Sequence, residues 1–255
     1  MTNGPLLQVE HLTVSFDDFK AIDDLSLTLE PQSVRVLIGP NGAGKSTLLD
    51  AIIGRVRPSA GRIVLRGTDI TRMPAHRIVR AGICRKFQTP GLLDSLTVYE
   101  NLALADARGR GWRAALRTRP TRDQQVRTEQ ILQLTGLTAE RHRPAGRLAH
   151  GQKQWLEIGM VVASDAELLL LDEPAAGMSH GEREQTADLV QRLTTRHSVL
   201  VIDHDMAFVE RLRAPVSVLH MGRLLKEGTL QEVRQDPQVR AVYLGRADEL
   251  ECDCA

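Results

Sequence analysis

Gly39, Pro40, Asn41, Gly42, Ala43, Gly44, Lys45, Ser46 and Thr47 form an uninterrupted G-x-x-x-x-G-K-[ST] pattern. It lies where an apolar run, Ser33–Ile38, gives way to a helical one beginning near Ser46 and closed by Gly54. Glycines let backbone N–H groups close around phosphate oxygens, and the start of the following helix adds a favourable dipole. Lys45 carries the charge to neutralise β- and γ-phosphates, and the Ser46 hydroxyl suits Mg²⁺. The pattern and its setting point to a nucleoside triphosphate.

A second apolar run, Leu168–Leu171, ends in Asp172 and Glu173. A buried parallel strand would deliver Asp172 to a metal at its carboxyl end, where ligand sites of open α/β sheets lie. Glu173 beside it could polarise an attacking water as general base. His204 follows a third apolar run, Ser198–Ile202, and could bond a γ-phosphate and the water from the same sheet edge. Gln88, after Ile83–Phe87, is neutral and could join the Mg²⁺ shell. Outside this context His204 reads equally as surface decoration and Gln88 as an ordinary loop residue.

The elements that must position these groups can be read from periodicity. Strands are expected at Leu7–Phe16, Leu25–Leu29, Ser33–Ile38, Arg62–Leu65, Ile83–Phe87, Leu168–Leu171, Ser198–Ile202 and Val216–His220. Met221, Gly222 and Arg223 turn the last of these into Leu224–Glu227 as a hairpin. Helical periodicity marks Ala75–Ala81, Val98–Ala107, Asp123–Leu134, Glu182–Leu193 and a helix from Met206. Strands alternating with helices imply a mainly parallel sheet. The expected divisions are a core over 1–88, a helical insertion over 89–163, the resumed core over 164–246 and a disordered tail over 247–255.

At 255 residues the chain fits one large α/β domain with an insertion. Thirty-three basic against 32 acidic residues leave a net charge of +1, which argues against nucleic acid as a partner held by bulk charge. Three cysteines, Cys84, Cys252 and Cys254, cannot staple such a chain, so a reducing compartment is expected. No run approaches the roughly 18 apolar residues of a membrane helix, and Met1–Leu7 does not read as a secretory signal. Any membrane role is therefore expected to come through partners.

Taken together, these residues resemble the ATP-binding subunit of ABC transporters, from about Leu7 to Arg246. Gly39–Thr47 looks like Walker A and Gln88 like the Q-loop. Leu148, Ala149, His150, Gly151 and Gln152 look like the signature, and Leu168–Glu173 like Walker B. Ala176–Ser179 and His204 look like the D-loop and H-loop. Phe16 falls where the family stacks an aromatic on adenine, with Phe19 its neighbouring rival and core packing open for either. The resemblance implies a P-loop NTPase (RecA-like) core with antiparallel N-terminal strands and an inserted helical subdomain. It implies ATP and Mg²⁺, with Lys45, Gln88, Glu173 and His204 catalytic and Ser46, Gln88 and Asp172 at the metal. Two such subunits sandwich two ATPs and move integral-membrane permeases from the cytoplasmic face of the inner membrane. An extracytoplasmic solute-binding protein acts with them at a distance.

More narrowly, the chain looks like subunits of branched-chain amino-acid importers, and within them the urea-transport branch. Cys84–Pro90, His150–Met160 and Val242–Arg246 carry that likeness, so urea or a short amide is the first expectation. Branched-chain amino acids come next, and an exporter of the lipopolysaccharide type after them. A GTPase would need an Asn/Thr-Lys-x-Asp guanine reader, which the sequence lacks. The usual signature reads Leu-Ser-Gly-Gly-Gln, so Ala149 lacks a hydroxyl that would bond a γ-phosphate across the dimer. A bond to a charged group is worth about 1.5–3 kcal/mol, so one composite site is expected to be weaker unless backbone donors suffice. Ser179 stands where many D-loops carry Asp, and His150 reads as solvent-facing. The arginines of 108–122, with Trp112, read as a solvated linker or a lipid- or permease-facing patch. Cys252 and Cys254 make a poor metal site, and Cys84 is expected to be a buried thiol.

Overall fold

A computed structural model describes residues 4–85, 91–106 and 121–244. Gln88, the arginines between 108 and 119, Trp112, Cys252 and Cys254 lie outside the described residues.

Strands β1 (Leu7–Phe16) and β2 (Phe19–Leu29) form a long antiparallel hairpin, paired from Leu7–Leu29 to Phe16–Phe19. β1 alternates buried and exposed residues, as a half-buried strand must. β4 (Ala60–Leu65) pairs with its other edge and β5 (Thr68–Asp69) follows, giving the order β2-β1-β4-β5.

The second sheet runs β10-β9-β3-β8-β7-β6. β3 (Val34–Ile38), β8 (Ser198–Ile202), β7 (Leu168–Asp172), β6 (Ile83–Arg85) and β9 (Val216–His220) run parallel to one another. β10 (Arg223–Gly228) returns antiparallel on β9. Met221 and Gly222 both have positive φ (48° and 76°), the geometry of a tight hairpin turn. A Cβ on Gly222 would stand 2.7 Å from the Ala21 carbonyl oxygen.

Both faces of this sheet are covered, and successive residues serve different cores. Leu168, Leu170, Leu200 and Ile202 pack with β1, β2 and helix α1 (Lys45–Ile52). Leu169, Leu171, Val199 and Val201 pack beneath α6 (His180–Leu193) and α7 (Met206–Leu212). That explains why the central strands read as unbroken apolar runs. Helix α2 (Ala75–Ala81) precedes β6. A third core joins α3 (Val98–Ala105), α4 (Arg122–Thr135) and α5 (His150–Ala163) through Val98, Leu102, Ile131, Leu132 and Leu156. Two terminal helices, α8 (Leu230–Gln235) and α9 (Pro237–Leu244), had no counterpart in the sequence reading. Thr229 and Glu232 form a capping box that marks the first of them.

Thr97, Thr121, Ser179 and Thr229 each cap a helix with their hydroxyl, and Glu or Gln three residues on reciprocates. At α5 only half of this exists: the Ala149 N–H donates to Gln152 Oε1 at 3.1 Å, and Ala149 offers no acceptor in return. Ala149→Ser is therefore expected to stabilise the folded chain by about 0.5–2 kcal/mol. An unchanged midpoint in denaturant titration would show that the first turn of α5 is already satisfied. Leu170, fully buried at the centre of β7, sets the opposite limit. Leu170→Ala should cost about 2–5 kcal/mol, measured as a lower unfolding midpoint with the same denaturant slope.

Candidate active site

The phosphate loop runs from the carboxyl end of β3 into α1. Gly44, the residue before the helix, has φ of 101°, and a Cβ there would meet the Ala21 carbonyl oxygen at 2.5 Å. The Gly222 N–H donates to the Ala43 carbonyl at 3.0 Å, so the β9–β10 turn braces the loop from behind. A Cβ on Gly42, with φ of 82°, would project into open space, so this glycine answers to conformation alone. Lys45 Nζ donates to the Gly39 and Pro40 carbonyls at 2.6 and 3.0 Å. Half-burial lowers its pKa, while the charges of Glu173 and Asp172 act the other way. The loop thus holds an ammonium at its mouth beneath helix-start N–H groups, which suits a polyphosphate.

β7 delivers Asp172 and Glu173 beside this loop. Asp172 is buried and donates nothing; its Oδ2 accepts from Arg85 at 2.8 Å, and Arg85 also donates to Asp50 of α1 at 2.6 Å. Glu173 has φ of 46°, a conformation side chains other than glycine adopt at a cost of about 1–3 kcal/mol. Its N–H is held by the Ile202 carbonyl at 2.8 Å. His204 leaves β8 at the same level, and its Nδ1 lies 3.4 Å from Glu173 Oε1. The His204 ring is 72% exposed, accessible to a ligand. Asp203 fixes the turn, its Oδ1 accepting from the His204 and Asp205 N–H groups at 2.8 and 3.0 Å. Burial pushes the Asp203 carboxyl up from its ordinary value.

The oxygens of Ser46 and Asp172 are the hard donors Mg²⁺ prefers, and that ion keeps several waters when it binds phosphate. The donor set therefore fits Mg²⁺. Phe16 and Phe19 face each other across the hairpin and are 49% and 65% exposed, so neither is a core residue. Both rings are free to meet a planar base.

Leu148 is buried, and the signature turn opens α5 away from these groups, against the D-loop and α6. His150, read as solvent-facing from the sequence, is exposed, and its Nε2 also lies 3.1 Å from the Ala176 carbonyl oxygen. A Cβ on Gly151 would stand 2.3 Å from Glu182 Oε1, so only glycine fits that approach. Trp155 Nε1 donates to Thr186 Oγ1 at 2.9 Å. Ser179 caps α6, which gives this residue a local structural task. Cys84, expected to be buried, is only partly so. Sequence reasoning missed Arg85; an arginine inside an apolar strand next to Cys84 was the available signal.

Residues 22–176 match the family model described as ABC transporter, and residues 225–249 match that of the branched-chain amino acid ATP-binding cassette transporter. The chain is 35% identical over 252 residues to BraF of Pseudomonas aeruginosa, a high-affinity branched-chain amino acid transport ATP-binding protein. That match covers 95% of this chain and 99% of the relative. LivG of Escherichia coli K12, with the same described role, matches at the same identity and coverage. A solved ADP conformation of an ATP-binding cassette of an ABC transporter superposes with a TM-score of 0.83 and 30% identity, covering 95% of this chain and all of that one. Among the described residues no helix is long and apolar enough to cross a membrane. A phosphate loop, a carboxylate pair and a facing histidine on one sheet edge thus coincide with kinship over nearly the whole length, and the chain belongs to the ABC transporter family as one of its ATP-binding, ATP-hydrolysing subunits.

Proposed function

We propose that this chain powers the import of branched-chain amino acids, as a peripheral subunit on the cytoplasmic face of a membrane. The observation that carries the solute assignment is the 35% identity, over almost the full length, to two proteins named for that transport. The match of residues 225–249 to the branched-chain amino acid model supports it from an independent segment. Urea, the first expectation from the sequence, rests on 84–90, 150–160 and 242–246 alone, and neither relative described above bears a urea name.

In this reading Lys45 and the loop N–H groups hold the β- and γ-phosphates, and Phe16 stacks on the base. Ser46, Asp172 and Gln88 would hold Mg²⁺, which when bound would supply positive charge to the phosphates. Glu173 takes a proton from the attacking water as its oxygen bonds to the γ-phosphorus, and the bond to the ADP oxygen breaks. His204, beside Glu173, orients that water and the γ-phosphate. Leu148–Gln152 serve a second ATP-binding subunit, whose own signature completes this site. Core segments 1–88 and 164–246 carry the nucleotide, and the insertion 89–163 carries the signature. Permease subunits and an extracytoplasmic solute-binding protein complete the transporter.

The test is uptake of labelled leucine and labelled urea in cells lacking this subunit. Leucine uptake should fall and return with the wild-type chain but not with Lys45→Ala. Loss of urea uptake alone would transfer the assignment to the urea branch, and no change in either would remove import altogether. In the purified complex Glu173→Gln should retain ATP binding while turnover drops by about 10²–10⁴. Turnover within twofold of wild type would deny Glu173 the role of base.

A further inference from the structure

Arg85 is 6% exposed at the side chain, near the carboxyl end of β6, in register with Leu170 of β7. Its two terminal nitrogens serve different elements: one donates to Asp50 Oδ1 of α1, the other to Asp172 Oδ2 of β7. Asp172 is 3% exposed, so this guanidinium is the charge that compensates a carboxylate removed from water. The planar fork of arginine can span two carboxylates at fixed angles, which an ammonium cannot do. One oxygen of Asp172 is thereby committed, and the other is left for a cation. The helix that begins at Lys45 is tied through Asp50 to the strand that ends at Asp172.

We infer that Arg85 is a positioning residue for the nucleotide-bound Mg²⁺, holding Asp172 in one orientation relative to the phosphate-loop helix. The inference rests on the reading that Asp172 serves that metal. A purely electrostatic role has the opposite sign. Removing a positive charge near a cation site should make Mg²⁺ bind more tightly, whereas loss of orientation should weaken it. Groups that orient a metal ligand typically contribute about 10–100-fold to metal affinity.

The experiment is equilibrium binding of a fluorescent, non-hydrolysable ATP analogue to the full chain, in EDTA and across a Mg²⁺ titration. Variants are Arg85→Gln, Arg85→Lys, Asp172→Asn and Lys45→Ala, each with a thermal melt. Arg85→Gln and Arg85→Lys should bind the analogue in EDTA as the wild type does. Both should require about 10–100-fold more Mg²⁺ for the half-maximal metal-dependent gain in affinity. A requirement within twofold of wild type in both, or a lowered one in Arg85→Gln, overturns the proposal. If Arg85→Gln does not fold, Arg85→Lys decides by itself, because it keeps the buried charge and loses only the fork. Should Asp172→Asn leave the Mg²⁺ requirement unchanged, the metal role of Asp172 falls and the Arg85 inference with it. Should Lys45→Ala bind normally in EDTA, the nucleotide-site reading itself is at fault.

Discussion

Ile202 pairs in register with Leu37 of β3 on one side and with Asp172 of β7 on the other. Everything at the sheet edge depends on that alignment. Because parallel strands point the same way, the phosphate loop after Ile38, the carboxylates at the end of β7 and the turn after β8 all emerge at one level. A slip of one residue in β7 would exchange its two buried faces and turn Asp172 towards the opposite core. The alternation of Leu168 to Leu171 between two apolar clusters therefore fixes the chemistry as well as the packing. The Glu173 N–H, held by the Ile202 carbonyl, extends the same ladder one residue past the strand and into the strained conformation.

A second seam joins the signature helix to the segment after β7. His150 meets the Ala176 carbonyl, Gly151 admits Glu182, and Trp155 bonds Thr186, so the first two turns of α5 are keyed to the segment after β7 and to α6. Glu182 also closes the cap on Ser179, and that bonding to the Ser179 hydroxyl and N–H is the main reason its carboxyl stays below the ordinary range. Helices α3, α4 and α5 share their own apolar cluster, and the polar contacts of α5 tie that cluster to the segment after β7.

Legibility in the sequence followed physical locality. The phosphate loop, Asp172, Glu173 and His204 could be placed because each stands within two residues of the end of an apolar run, and strand ends are short-range features. The N-terminal hairpin was half visible: β2 starts at Phe19, six residues before the alternation at Leu25, because the register shifts of the β1–β2 pair break the period. The exposure of His150 was legible, but its partner was not, because that backbone carbonyl lies 26 residues away and no side-chain pattern announces it. Arg85 was missed for the same reason, since its partners sit 35 and 87 residues off and only the fold brings them together. The terminal helices were overlooked although Thr229 and Glu232 carry a local cap signal, so there the information was present and unused.

The charged groups at this sheet edge divide by burial, and burial decides how each is held. Asp172 is buried, and a buried carboxylate needs a compensating partner, which Arg85 supplies. Glu173 and His204 both remain substantially exposed, 3.4 Å apart. Exposure preserves access but gives little orientation, and here the backbone provides it. Glu173 is pinned by its own N–H and by a positive φ, and His204 by a turn braced on Asp203. Hydrogen-bonded main chain beneath exposed side chains thus fixes where both groups leave the sheet. Lys45 lies between these regimes: half-buried, its ammonium rests on loop carbonyls that a phosphate can replace as partners. Entry of a polyphosphate would exchange two neutral acceptors for an anionic one, which is a stronger bond in the same place. The loop carbonyls thereby satisfy the lysine, and an anionic ligand remains its stronger partner.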